Sequence, residues 1–143
     1  MRPWKKIGCP VDFSEPSRLA LLEAAYLGRT LEGALTVLYV HEPTPELVEF
    51  YGSSPREFEA LLPELERRLA TWAREAGAPC GHVSWKVLRG APTEEILRCA
   101  KAENFDVIVM GTHGRTGLKH LLLGSVAERV IRGAPCPVLV VRS

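Results

Sequence analysis

A chain of 143 residues is long enough for one domain with a real core and too short for two. Its 46% apolar and 24% charged residues are those of an ordinary soluble globular domain, and a net charge of +1 gives no field broad enough to recruit nucleic acid. No stretch approaches the roughly 20 apolar residues of a membrane helix.

Met1-Arg2-Pro3-Trp4-Lys5-Lys6 is basic, but the following Ile7-Gly8-Cys9-Pro10-Val11-Asp12 is too short, and ends in a charge, to be a signal-peptide core. The expectation is one domain over residues 1–143, cytoplasmic and with no membrane partner. Cys9, Cys80, Cys99 and Cys136 are far apart and form no CxxC pair. They read as small buried apolar residues.

Lys6 to Val11 is a short apolar run that stops at Asp12, with Pro10 at the strand's end, where a missing N–H is tolerable. Ser14 offers an oxygen to cap a helix whose first turn holds Glu15 and Pro16. Leu19, Leu22 and Tyr26 recur in it at helical spacing, and Gly33 is a suitable stop. Leu35 to Val40 is apolar on both faces, as a strand inside a covered parallel sheet is. Glu42 to Ser54 reads as an excursion with one helical turn at Glu46-Leu47-Val48-Glu49.

The clearest helix carries Phe58, Leu61, Leu62, Leu65, Leu69, Trp72, Ala73 and Ala76 on one face. Glu59, Glu66, Arg67, Arg68, Arg74 and Glu75 take the other face, read as solvated surface. Pro63 predicts a kink, or a helix that begins near Leu62. Gly77 and Pro79 close it.

Val83 to Leu88 alternates apolar and polar, as a strand near the sheet edge should. Gly90-Ala91-Pro92 turns into a helix with Ile96, Leu97 and Ala100 inward. Asp106 to Met110 is a fourth buried run. A glycine-rich stretch, a helix from Ser125 to Arg132 ending at Gly133, and a last strand from Pro137 to Val141 complete the chain. Strands alternating with helices mean a parallel sheet covered on both sides, with right-handed crossovers.

In such sheets ligands bind beyond the carboxyl ends of the strands, where the winding reverses. Asp12, His41 and the segment Met110-Gly111-Thr112-His113-Gly114 reach that edge. The last opens the pattern Gly111-x2-Gly114-x9-Gly124-Ser125. A glycine after a buried strand permits a sharp turn and close approach of a ligand. Gly124-Ser125 stands where a helix begins, and unpaired N–H groups there attract phosphate. Ser125 can cap that helix or donate to an anion. His113, Arg115, Lys119 and His120 add positive character. The spacing is neither a Walker A loop nor GxGxxG. Asp12 reads either as a turn aspartate or as a carboxylate for ribose hydroxyls or a divalent metal. His41 and His113 without a third ligand make a weak metal case.

With these residues in place, the chain resembles the universal stress protein family over nearly its whole length. The resemblance rests on Pro10-Val11-Asp12-Phe13-Ser14, Tyr39-Val40, Gly90-Ala91-Pro92, the run Asp106 to Gly114, Leu122 to Ala127, and Pro135 to Val141. The glycine spacing resembles that of the ATP-binding branch.

The resemblance implies a Rossmann-like three-layer α/β/α sandwich, related to the adenine nucleotide alpha hydrolases, with a five-stranded parallel sheet of order 3-2-1-4-5. It implies adenine packed near Pro10, Val40 and Met110, with ribose on Asp12 and the Gly111 backbone. Phosphates would lie on Gly114, Gly124, Ser125 and Val126, with His113 nearby. Ala127 stands where some members carry a hydroxyl, so one phosphate contact is missing. Mg²⁺ or Mn²⁺ would accompany the triphosphate, with Asp12 a candidate metal contact. A homodimer through Val138 to Val141 is also implied, and an apolar edge strand there needs covering or pairing.

Fast hydrolysis of ATP needs a group that positions water, and the loop offers only His113. The expectation is a nucleotide-responsive signalling module with at most slow hydrolysis. The alternatives are a nucleotide hydrolase or transferase of the same fold, and a structural dimer that binds no nucleotide.

Overall fold

The computed structural model describes residues 2–43, 55–78, 82–113 and 123–143. Strand and helix alternate as β1 (Lys6–Pro10), α1 (Glu15–Thr30), β2 (Ala34–His41), α2 (Pro55–Glu75), β3 (Val83–Arg89), α3 (Pro92–Ala102), β4 (Val107–Gly111), α4 (Ser125–Gly133) and β5 (Val138–Val141). All the pairings are parallel and the order is β3-β2-β1-β4-β5, as the resemblance implies. The expected turn at 46–49, Pro79 and Cys80 lie outside the described residues.

The apolar strands divide their side chains between two cores. Ile7, Cys9, Val37, Val107 and Val109 meet Ala20, Leu21, Ala24 and Ala25 of α1 and Leu69 and Ala73 of α2. On the opposite face Leu38, Ile108 and Met110 meet α3 through Ile96, Cys99 and Ala100, and α4 through Ala127 and Val130. β1 has little to give that second face. Gly8 leaves a gap there, and the ring of buried Phe105 fills it.

Ser14 caps α1, accepting from Ser17 N, with Pro16 in the first turn as expected. The buried stripe, however, is Ser17, Ala20, Leu21, Ala24, Ala25 and Gly28, mostly small residues that let the helix lie close on the sheet. Leu22 and Tyr26 are 37% and 55% exposed, so their spacing does not mark the inner face. The left-handed residue after α1 is Glu32 (φ 52°), not Gly33. Gly33 is small for another reason: a Cβ there would stand 3.0 Å from Lys5 O.

α2 does not restart near Leu62. It runs through Pro63, whose exposed position lets water satisfy the carbonyl that loses its donor. Leu65, Leu69 and Ala73 are its buried residues, while Leu61 is 41% exposed. β3 is an edge strand, as its alternation requires. Cys9 and Cys99 are buried and Cys136 half-buried, and burial pushes the Cys9 thiol far above its ordinary value.

The amino end of the sheet is tied by one buried carboxylate. Asp106 Oδ2 accepts from Lys5 N (3.0 Å) and Lys6 N (2.8 Å), and Arg2 Nε stands 2.7 Å from Oδ1 as an ion pair without hydrogen-bond alignment. This clamps the start of β1 to the start of β4.

The Gly8–Phe105 fit gives a stability prediction. Gly8→Ala drives a methyl into the Phe105 ring and should cost about 1–3 kcal/mol in chemical denaturation. Adding Phe105→Leu should cost less than the two single losses summed, because the two sites share one space.

Candidate functional site

β1 and β2 pair along the whole of β1, but β1 and β4 pair only at Ile7–Val107 and Gly8–Ile108. The reason lies in Pro10. Val11 N donates to Leu38 O of β2 (2.8 Å), so alternation turns residue 10 toward β4, and proline has no N–H to give. β4 nevertheless continues to Gly111. The carboxyl halves of β1 and β4 are therefore left without a ladder between them, at the point where strand order reverses and ligands of such sheets bind.

Several of the site residues read from the sequence lie at this carboxyl edge. Pro10 closes β1, and its parity places it on the same face as Gly8, the α3/α4 face. Met110 is buried in the α3/α4 core, and Val40, Leu123 and Val126 pack against that same cluster. Two of the three apolar positions expected around a base, Val40 and Met110, thus share one cluster, and Pro10 joins them by parity.

On the polar side, Gly111 ends β4 and Thr112 is buried behind it. Gly124 N donates to Thr112 O at 2.6 Å, which draws the beginning of α4 to the end of β4. Gly124 is the N-cap of α4 and supplies no side-chain cap. The first N–H groups of a helix have no intrahelical acceptor, so those of Ser125 and Val126 stand at this edge. Ser125 is exposed, and His113 Nδ1 lies 3.1 Å from Thr112 Oγ1. Gly114, Arg115, Lys119 and His120 lie outside the described residues.

One of the two described loop glycines has a reason beyond the one the sequence suggested. Gly111 makes its close approach to protein: a Cβ would stand 2.8 Å from Pro16 O in the first turn of α1. Gly124 has φ −71° and ψ 162°, which any residue adopts. Its lack of a side chain, not its dihedral freedom, is what distinguishes it.

Asp12 sits in the turn from β1 to α1, where Oδ1 accepts from Ser14 N (3.0 Å) and from Ser14 Oγ. Asp12 N donates to Ser17 Oγ (3.3 Å), which itself donates to Ser14 O (2.9 Å). The turn reading of Asp12 is therefore realised. The next residue, Phe13, has φ +63°, a conformation that costs a bulky residue roughly 1–3 kcal/mol. Its ring is held by Tyr39 (4.9 Å between centroids), by Trp72 edge-on (5.1 Å) and by the Arg68 guanidinium 3.9 Å above it. Arg68 is thus a packing residue and not the solvated charge that its place in the helical pattern suggested. Thr112, Ser17 and Phe13 were not singled out by sequence reasoning. The only signal for Phe13 was its place between Asp12 and the Ser14 cap.

His41 ends β2 and stacks on Phe58 of α2 (5.9 Å, 29° between planes). Among the described residues no group of three His, Cys, Asp or Glu side chains could hold a metal ion. Burial, and then the charge of Arg89, hold the His41 imidazole below its ordinary value. The folded protein therefore binds fewer protons at this site than the unfolded chain. The contribution is complete above pH about 6.5 and is lost as the pH falls from there toward the lowered folded value. His41→Phe should flatten the fall in stability between pH 7 and 5, measured by urea denaturation; an unchanged slope would exclude His41 as its source.

The sequence profile of the family described as the universal stress protein family matches residues 3–142. The universal stress protein MJ0531 of Methanocaldococcus jannaschii is 37% identical over 97% of this chain and 82% of its own length. A solved structure of MJ0577 superposes with a TM-score of 0.83 at 32% identity, covering 99% of this chain and 98% of that one. A universal stress protein in complex with cAMP has the same fold, with a TM-score of 0.73 at 22% identity over 99% and 98% of the two chains. So has one from Archaeoglobus fulgidus in complex with dAMP, with a TM-score of 0.66 at 24% identity over 97% and 98%. On the profile match and on its identity with these relatives, the chain belongs to the universal stress protein family.

Proposed function

We propose that this protein is a cytoplasmic adenine-nucleotide-binding module of the stress response that holds ATP at the carboxyl edge between β1 and β4. The observation that carries the reading is the start of α4. A helix N-terminus without a side-chain cap is drawn to the end of β4 by the Gly124–Thr112 bond, beside an apolar cluster. Amides at such a terminus suit phosphate, and the cluster suits the face of a base. Two proteins of the same fold were solved with adenine nucleotides, cAMP and dAMP, which supports the assignment of ligand class.

In this reading Pro10, Val40 and Met110 enclose adenine, while Asp12 and the Gly111 backbone take the ribose. Gly114, Gly124, Ser125 and Val126 take the phosphates, with His113 beside them. Mg²⁺ or Mn²⁺ would be carried by the phosphates, with Asp12 a candidate contact. The segment 111–126 contains no Asp, Glu or Gln to position water, so hydrolysis is slow and the nucleotide acts as a signal.

The test separates binding from folding. Gly124→Asp installs a capping carboxylate, so α4 should be as stable as before or more so, by a few tenths of a kcal/mol. The same carboxylate occupies the anion position, and Mg-ATP affinity by calorimetry should fall at least about tenfold through charge repulsion. Unchanged affinity would remove α4 from the site.

The edge strand β5 suits a homodimer. Ile108 N donates to Pro137 O, so by alternation Val138 and Val140 turn their backbone groups to the open edge. Val140→Pro removes one outward N–H and leaves the ladder to β4 intact. Sedimentation should then report a monomer; a persistent dimer would place the interface elsewhere.

A further inference from the structure

We propose that Phe13 is a positioning residue for the nucleotide: its ring, clamped by Tyr39 of β2 and by Arg68 and Trp72 of α2, holds the β1–α1 turn in the one conformation that presents Asp12 to ribose. This rests on the adenine-nucleotide reading and adds to it a residue and a helix that do not touch the nucleotide.

A phenylalanine at φ +63° is unfavourable, and such residues persist only where their surroundings over-determine them. Glycine or asparagine would meet the backbone requirement at less cost. What phenylalanine adds is a ring, and that ring has three partners from two elements: Tyr39, Trp72 and Arg68. The clamp lies on the α1/α2 face, opposite the apolar cluster assigned to the base. Phe13 therefore has no place in the base pocket.

Its backbone is the link. Phe13 stands between Asp12 and Ser14, and the Asp12 Oδ1 contacts run to Ser14 N and Ser14 Oγ, across Phe13. Ser14 in turn is fixed as the cap of α1. Rotating Phe13 out of the left-handed region would move Asp12 relative to that cap and break the turn. The ring clamp thus sets the position of the Asp12 carboxylate, and α2 acts on the nucleotide site through it.

The test compares Mg-ATP with Mg-2′,3′-dideoxy-ATP by calorimetry on the purified full chain. A hydrogen bond from ribose to a charged carboxylate should make the wild-type protein prefer ATP by about tenfold. Phe13→Gly tolerates the backbone conformation but removes the clamp. It should reduce that preference to less than about twofold and leave dideoxy-ATP affinity unchanged, the outcome of a lost positioning effect and not of general loosening. Arg68→Met, on α2, should reduce the preference in the same direction and decides the question if Phe13→Gly does not fold. A wild-type preference in both variants overturns the proposal. If the wild-type protein binds ATP but Asp12→Asn leaves the preference intact, the ribose role of Asp12 and this proposal fall while the nucleotide site stands. If the wild-type protein binds neither nucleotide, the functional reading fails with them.

Discussion

The parallel ladder between β1 and β4 ends at Gly8–Ile108, and the rest of the site is arranged around that ending. A ladder continues only while both strands can donate, and Pro10 turns a nitrogen without hydrogen toward β4. At the amino end the two strands are held hard together by Asp106 on the Lys5 and Lys6 amides. The pairing therefore lapses in one direction, toward the carboxyl edge. There the order of winding reverses, and one neighbour of β1 leads to the α1/α2 layer while the other is followed by α4.

The two faces of the sheet do different work beside that edge. Small residues on α1 bring its first turn against Gly111, so the end of β4 is buttressed from one side by helix backbone. From the other side, α4 reaches it through the Gly124–Thr112 bond. Gly111 is thus fixed between two helix amino ends, one capped by Ser14 and one without a side-chain cap. This difference in capping distinguishes the two termini as sites for an anion: at α1 the cap side chain already accepts from Ser17 N, while at α4 Gly124 has no side chain to do so.

Much of this was legible locally. Strand and helix alternation, the Ser14 cap, Pro92 at the start of α3 and Gly124 at the head of α4 all follow from residues within a turn of one another. The strand order did not follow from pattern and came from the family resemblance. What was missed or misread depends on contacts far apart in sequence. Gly111 is small because of Pro16, and Gly8 because of Phe105, nearly a hundred positions away in each case. Leu22 and Tyr26 keep helical spacing yet face outward, because closeness to the sheet selected the smaller residues beside them. Arg68 falls on the charged side of its helix by pattern, and only the fold brings the Phe13 ring beneath it. Phe13 itself carries no local sign of a left-handed backbone, since nothing in the sequence replaces the usual glycine or asparagine signal.

These long-range contacts also bear on how the proposed nucleotide site would work. An anion site made of backbone amides binds phosphate through dipoles that are fixed before the ligand arrives, and it needs no group that changes protonation state. Catalysis would need an added side chain aimed at water, and the run from Gly111 to Val126 supplies no acid or amide of that kind. What the architecture does supply is connection. The Asp12 turn is joined to α2 through Phe13, and Gly111 is joined to α1 through Pro16. A nucleotide that occupies the site would thus bear on both helices of one layer, and a partner docking on that layer would bear on the nucleotide by the same amount of free energy.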